Sequence, residues 1–531
     1  MDKTTIKFCY FIVICASGFL RFWQLGEKPL LHDESIHAYY SWQLFLGNGY
    51  KFDPVYHGPF LYHFNAFIYF LFGVTDATAR IGPAIAGVIV TAMPWYLRNE
   101  LGNVGAVTAA ALLGFSPTML FYSRSIIHDI YVILFTLGSL VFLVRFVKDR
   151  NLNNLLFLGL CISLGYCTKL NFILHLVIFY FFACVYLVWQ VAWQRAWTYV
   201  NCWQVCVNYC RQEHVKILQI LIISLGSYVA LYSTFFSNMR GVHDGIFGYF
   251  SYWISQQMNP RIPGPWYYYI PLGMVYELPI IILAILGSFL LLRKRTVFGM
   301  FLVYWEVASW VLYAVANEKV PWLMAHQLLP MSLIGGIYIG QYVIPFVQQH
   351  NRWKKSIISS ALLLLFYNFH TAIPLLFTRI GDAREPILFV HTNMEVPKIT
   401  KIIDDIALLR GEWRKMPVAL GGEPVWPFSW YLRDYPVHIV DSITHELNES
   451  VLLGSMKPDE EKVMTEKYHV IKIPLRSWSN LDFKTITLKD LIRFILYRET
   501  PNGAASSDFL LYLRKDAIIY NNNYLKQETS K

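Results

Sequence analysis

The requirement that backbone in lipid satisfies its own hydrogen bonds constrains this chain more than any motif in it. About eleven apolar runs precede residue 378, at 6–25, 81–98, 104–123, 128–147, 152–168, 170–190, 217–236, 271–292, 297–316, 322–346 and 356–378. Each is close to the roughly 20 residues that carry a helix across ~30 Å of hydrocarbon. Irregular backbone exposed to lipid would leave N–H and C=O groups unpaired, so these runs read as a helical bundle. Composition agrees: 55% of the 531 residues are hydrophobic and 15% charged, against about 25% charged in soluble domains. The first run follows Lys3 and Lys7 as a signal peptide would. It reaches Arg21-Phe22-Trp23 with no small-residue cleavage site and reads as a retained span. Phe60–Gly73 would extend only about 21 Å as a helix, so it reads as an interfacial or re-entrant segment.

The net charge of +10 lies in short clusters between apolar runs, which points to topology and not to nucleic acid. With the N-terminus cytoplasmic, the inner loops hold Lys3, Lys7, Arg98, Arg145, Lys148, Arg150, Arg195, Arg211, Lys216, Arg293, Lys294, Arg295, Arg352, Lys354 and Lys355. The longer outer loops hold only Lys28, Lys51, Arg80, Arg124, Lys169, Arg240, Arg261 and Lys319. This bias supports eleven crossings of the plasma (inner) membrane. It places Asp33, Arg124, Asp129, Lys169 and Lys319 on the outer face.

Residues 1–378 thus form the membrane domain, with a first outer loop at 26–80. Beyond Arg379 charges become frequent and apolar runs shorten. Strand-like ILFVHT (387–392), PVALGG (417–422), VHIV (437–440), YHVIKIPL (468–475) and DFLLYLR (508–514) alternate with helix-like 396–409 and 488–497, and a Trp-rich helix or turn spans 424–433. This predicts an extracytoplasmic α/β domain over 379–520 and a flexible tail over 521–531. All eight cysteines precede residue 211, so no disulfide is expected in that domain. Cys202, Cys206 and Cys210 read as reduced thiols on a helix face. Asn448-Glu449-Ser450 is a glycosylation sequon by pattern alone.

The polar stretch Leu30–Tyr62 stands out beside so much apolar chain. Asp33 and Glu34 follow Pro29 and precede an amphipathic segment, Ser35–Leu46, ended by Gly47-Asn48-Gly49, so the acids sit near a helix N-terminus. An N-cap accounts for one acid; a general base that takes the proton of an attacking hydroxyl accounts for an acid held beside lipid. His57-Gly58-Pro59 reads as a turn, with His57 able to orient an acid or touch a phosphate. His32, His37 and His57 with Asp33 form an alternative metal site, although their spacing fits no tight zinc pattern and no cofactor is called for. In 121–131, Arg124 with His128 and Ser125 with Asp129 are each four apart and can share a helix face. Arg124 there marks a span end or grips a phosphate. Lys169 snorkels from a short hinge or binds the same anion. His326 lies inside a span, where an ionisable group suggests function. Trp426 and Trp430 either stack on a sugar or fill a small core.

These residues resemble the GT-C superfamily of membrane glycosyltransferases, in particular the protein O-mannosyltransferases and lipid A aminoarabinose transferases. The resemblance rests on Asp33-Glu34 after the first span, Ser123-Arg124 with Asp129, Lys169, Lys319 with Pro321, and His326 through Pro330. His57-Gly58-Pro59 departs from the His-Pro-Pro of many relatives. Within the superfamily the chain is similar to prokaryotic "flippase-activity-associated" proteins, through His32–Ala38, Glu318–Leu323 and Trp426–Arg433. The resemblance implies an inverting, metal-free transfer from a polyprenyl-phosphate sugar donor to a protein or glycolipid acceptor. Asp33 would be the base and Glu34 its aid in placing the acceptor. Arg124, Lys169, Lys319 and His326 would bind the donor phosphate, supported by His37, His57 and Asp129. The group's label implies the alternative of a non-catalytic helper in moving lipid-linked sugar. Membrane lipids are partners in either case.

Overall fold

The computed structural model describes residues 2–194, 204, 207–259, 262–455, 461–480, 485–500 and 503–518. The predicted tail after 520, Cys202 and Cys206 lie outside them. Two compact units emerge. One gathers the chain up to Thr378 apart from Gly26–Trp42. The other joins Gly26–Trp42 to Arg379–Asp482 and the described residues from Ile486 on. The acid-bearing segment, expected in the membrane domain, is therefore grouped with the C-terminal unit.

Every predicted span is helical. Eight helices among the described residues are long and apolar enough to cross a membrane: Lys3–Phe22, Ile81–Leu101, Asp129–Asp149, Asn171–Trp189, His214–Tyr232, Val297–Val315, Pro321–Gln349 and Asn351–Thr378. The chain is a multi-pass membrane protein. Of the predicted spans outside these eight, 152–168 is the shorter helix Leu152–Tyr166, and the other two are broken. The run 104–123 breaks after Asn103–Phe115. Ser116 then caps a short helix, Pro117–Tyr122, and Pro117 occupies its first turn, where no N–H is needed. The run 271–292 is Tyr269–Tyr276 followed by Leu278–Lys294, bent by 108°, with Glu277 at the corner and Pro279 behind it. The Glu277 carboxylate accepts from Ser116 Oγ at 2.7 Å and from the Thr118 N–H at 2.8 Å. One buried acid thus serves two helix breaks.

Phe60–Phe72 is a helix of 13 residues, too short to cross unaided. Its entry is fixed by the hinge between two spans: Gly58 N–H donates to Thr168 O and Phe60 N–H to Cys167 O, both at 2.9 Å. A Cβ at position 58 would overlap the Cys167 carbonyl, and a proline would lack the N–H that bonds Thr168. The departure from His-Pro-Pro therefore follows from backbone packed on backbone. His57, immediately before, is held at φ 65° and ψ −158°, a conformation normally left to glycine.

The C-terminal unit carries a mixed six-stranded sheet: β1 (His391–Thr392), β2 (Val418–Gly421), β3 (Val437–Val440), β4 (Val451–Gly454), β5 (Tyr468–Ser479) and β6 (Ala504–Arg514), in the order β1-β5-β6-β4-β2-β3. β2 runs parallel to β3 and β4, and the other pairings are antiparallel. Alternation sends Val418, Leu420, Val451 and Leu453 to one face, against Ile399 and Ile403 of the helix Glu395–Leu409. Ala419 and Leu452 go to the other face with Tyr512 and Met464. Of ILFVHT only the last two residues pair, because Pro386–Leu388 forms a helical turn. The short strand β4 was not predicted. Gly58→Ala is expected to lower the unfolding midpoint in detergent, corresponding to roughly 1–3 kcal/mol of overpacking. A wild-type midpoint would show that the hinge yields.

Candidate active site

The two adjacent acids have different environments. The helix they open is His32–Phe45. Glu34 is fully buried, and its carboxylate accepts the Leu31 N–H at 3.0 Å, with Lys28 Nζ at 3.6 Å. That is the reach-back half of a capping box. Asp33 remains half-buried. The neighbouring His37 is buried in the same helix. Leu30 N–H donates to the Tyr431 hydroxyl at 2.8 Å, and Tyr39 and Tyr40 pack on the Trp426 ring at 5.5 and 6.1 Å between centroids. The sequence motifs His32–Ala38 and Trp426–Arg433 thus pack together. Trp430 is fully buried core, so it offers no face to a sugar. Burial, with Arg476 adding to it, lowers the His32 pKa to about 4. The ring is neutral at physiological pH.

In the membrane unit three predicted residues meet. Lys169 Nζ donates to both Asp129 oxygens at 3.1 and 2.9 Å, and His326 Nε2 lies 3.0 Å from Oδ1. Asn171 Nδ2 approaches the same oxygen at 3.5 Å. Behind His326, its Nδ1 is 3.2 Å from His175 Nε2, and Trp305 Nε1 is 3.4 Å from His175 Nδ1. An indole only donates. Trp305 therefore sets His175 Nδ1 as acceptor, His175 Nε2–H as donor to His326, and His326 Nε2–H as donor to Asp129. The chain of hydrogen bonds ends on the carboxylate with both imidazoles neutral. Such a network holds the Lys169 ammonium at a defined place, 6.0 Å above the Trp322 ring.

The other two cations are engaged at helix ends. Arg124 donates to the carbonyls of Leu20, Arg21, Trp23 and Gln24, at 2.8, 3.1, 2.6 and 3.0 Å, closing the C-terminus of Lys3–Phe22. Burial lowers its pKa to about 10. Lys319 donates to Tyr313 O and Ala314 O, each at 2.9 Å, and to Ala316 O, closing Val297–Val315. Burial lowers its pKa as well. These are C-caps. The anticipated face-sharing of 124 with 128 and 125 with 129 does not occur, because the chain leaves the helix at Ser123 and re-enters at Asp129. His128 lies just before that start, its Nε2 3.3 Å from Gly58 O, and its ring meets His57 edge-on at 5.1 Å. Among the described residues no three His, Cys, Asp or Glu side chains group as metal ligands would.

The family model described as dolichyl-phosphate-mannose-protein mannosyltransferase matches residues 56–209. Two solved structures of ArnT from Cupriavidus metallidurans align over most of the chain. The apo form gives a TM-score of 0.59 at 14% identity over 88% of this chain and 95% of that one. The form bound to undecaprenyl phosphate gives 0.58 at 15% identity over 88% and 96%. The fold is that of ArnT. No curated protein matches by sequence.

The residues missed by sequence reasoning are His175, Trp305, Glu277 and Arg476. His175 and Glu277 carried the signal that singled out His326, an ionisable group inside an apolar run. Lys169→Met should leave Asp129 buried without its cation and cost about 3–5 kcal/mol. Adding Asp129→Asn should recover part of that loss, as measured by unfolding midpoints in detergent. Because the His32 pKa is lowered from 6.5 to about 4, its contribution to stability is complete above the ordinary histidine range. It is lost as pH falls from 6.5 towards 4. His32→Gln should flatten that part of the melting-temperature profile.

Proposed function

We propose that the protein is a membrane glycosyltransferase. It transfers a sugar from a polyprenyl-phosphate donor to a hydroxyl-bearing acceptor, protein or glycolipid, on the extracytoplasmic face of the plasma membrane. The observation that carries the reading is the division between the two acids: Glu34 closes the helix start, which leaves the half-buried Asp33 carboxylate outside the cap. A structural account of the pair needs only Glu34. Asp33 fits the general base. It takes the acceptor proton as the acceptor oxygen bonds to the anomeric carbon, while the bond from that carbon to the phosphate oxygen breaks and its electron pair leaves with polyprenyl phosphate. A single displacement of this kind inverts the anomeric centre.

Lys169 is the cation best suited to the departing phosphate. Arg124 and Lys319 each close the end of a helix through its carbonyls, whereas Lys169 is held by one carboxylate and keeps a third hydrogen. Asp129 and His326 then hold that ammonium and do not themselves bind the donor. Charge growing on the leaving oxygen is stabilised by a preorganised ammonium in a dry site. The family description over 56–209 and the undecaprenyl phosphate bound by ArnT support a lipid-phosphate donor.

The test uses the full chain in proteoliposomes with radiolabelled hexosyl phosphoryl polyprenols and membrane extract as acceptor source. Wild type should release polyprenyl phosphate. Asp33→Asn should lose about 10²–10⁴-fold in rate while binding polyprenyl phosphate as before. Undiminished release by that variant removes the base assignment. Translocation of intact donor without release would favour the carrier role.

A further inference from the structure

We propose that the helix Leu488–Tyr497 of the C-terminal unit rests in the bilayer surface, with Leu488, Ile492 and Leu496 among the lipid chains and Lys489 and Arg493 at the phosphates. This gives the unit a hold on lipid separate from the spans. The hold depends on the chain crossing a membrane and not on transfer of sugar.

The helix forms on local grounds. Thr487 caps its start, and Asp490 returns the bond in a capping box. Arg498, in the left-handed conformation, ends it with its N–H on Phe494 O. Leu491 and Phe494 are buried in the unit. Leu488, Ile492 and Leu496, one turn apart, remain 67%, 48% and 55% exposed. At about 100° per residue they share a stripe about 80° wide. Lys489 and Arg493 border this stripe and are also exposed, with Arg493 Nη2 2.6 Å from Glu499 Oε2. Asp490 falls on the opposite side of the helix. Exposed apolar residues scattered singly are ordinary, but an unbroken row bordered by cations is the pattern of an interfacial helix. The helix Glu395–Leu409 of the same unit differs. It exposes Lys398, Lys401 and Asp405 along its length, and Leu408 and Leu409 at its end.

The bilayer is the surface within reach. Arg498 Nη1 lies 3.6 Å from Glu385 Oε2, and both side chains are buried. This ties the end of the helix to Arg379–Glu385, the seven residues that directly follow the membrane-spanning helix Asn351–Thr378. Such a segment extends at most about 25 Å. Two successive turns shorten it, with Asp382 N–H on Arg379 O at 3.1 Å and Glu385 N–H on Asp382 O at 3.0 Å. An apolar row held this near the end of a span has lipid as its neighbour. Lysine and arginine suit the rim, because their aliphatic stems lie along apolar surface while their charges reach phosphate.

The experiment uses the full-length protein carrying the photocrosslinker benzoylphenylalanine in place of Ile492, or in place of Lys401 on the polar helix. Each is reconstituted into nanodiscs of phosphatidylcholine and phosphatidylglycerol and irradiated, and mass spectrometry of the digest reads phospholipid adducts. Position 492 should give about tenfold more adduct than position 401. Combining Leu488→Gln with Leu496→Gln should cut the adduct at 492 by about threefold or more. The melting temperature of that double variant should stay at the wild-type value, because both side chains are exposed. Equal adducts at 492 and 401 overturn the proposal. So do crosslinks from 492 to a second copy, or to another peptide of this chain, in place of lipid. An undiminished adduct in the double variant overturns it as well.

Discussion

A helix that ends where water is scarce leaves backbone groups that something else must satisfy. Much of this molecule's polar chemistry answers that need. Arg124 gathers the last carbonyls of Lys3–Phe22, Lys319 those of Val297–Val315, and Glu277 meets the first donors of Pro117–Tyr122. Glu34 does the same for His32–Phe45. Once those demands are met, few charged side chains remain uncommitted. Asp33 is half-buried outside the cap that Glu34 completes.

The buried network behind Lys169 follows from the same scarcity. Asp129 in an apolar bundle requires a counter-charge and saturated lone pairs. Lys169, His326 and Asn171 supply them, from a hinge, a late span and the start of another. Because Trp305 can only donate, one indole fixes the proton positions on two imidazoles beyond it. Rigidity is the useful product: the ammonium cannot wander along its flexible stem.

Local signals in the sequence were reliable. The helix after Pro29, its end at Gly47, the length of Phe60–Phe72 and the helix Leu488–Tyr497 all depend on neighbours in the chain, and all are present. Asp129, Lys169 and His326 were marked by polarity in apolar surroundings, although nothing in their spacing said that they touch. Arg124 and Lys319 show the limit most clearly. A cation at the end of a span looks the same whether it awaits a phosphate or closes a helix, and only the carbonyls around it decide. Arg476 was illegible for another reason. Alternation within a strand identifies the faces of a sheet but not the distant carbonyls, of Glu423 and Trp426, to which a residue beyond a bulge donates.

Gly26–Trp42 is separated by more than three hundred residues from the strands with which it forms one unit. During synthesis, this early stretch leaves the translocation machinery long before β5 and β6 exist. Tyr431 and Trp426, which hold its start, arrive only after all the spans. A nascent chain arrested before the sheet would carry the acid helix without its seat. A product truncated before the sheet would therefore lack the hydroxyl and ring that hold the start of this helix.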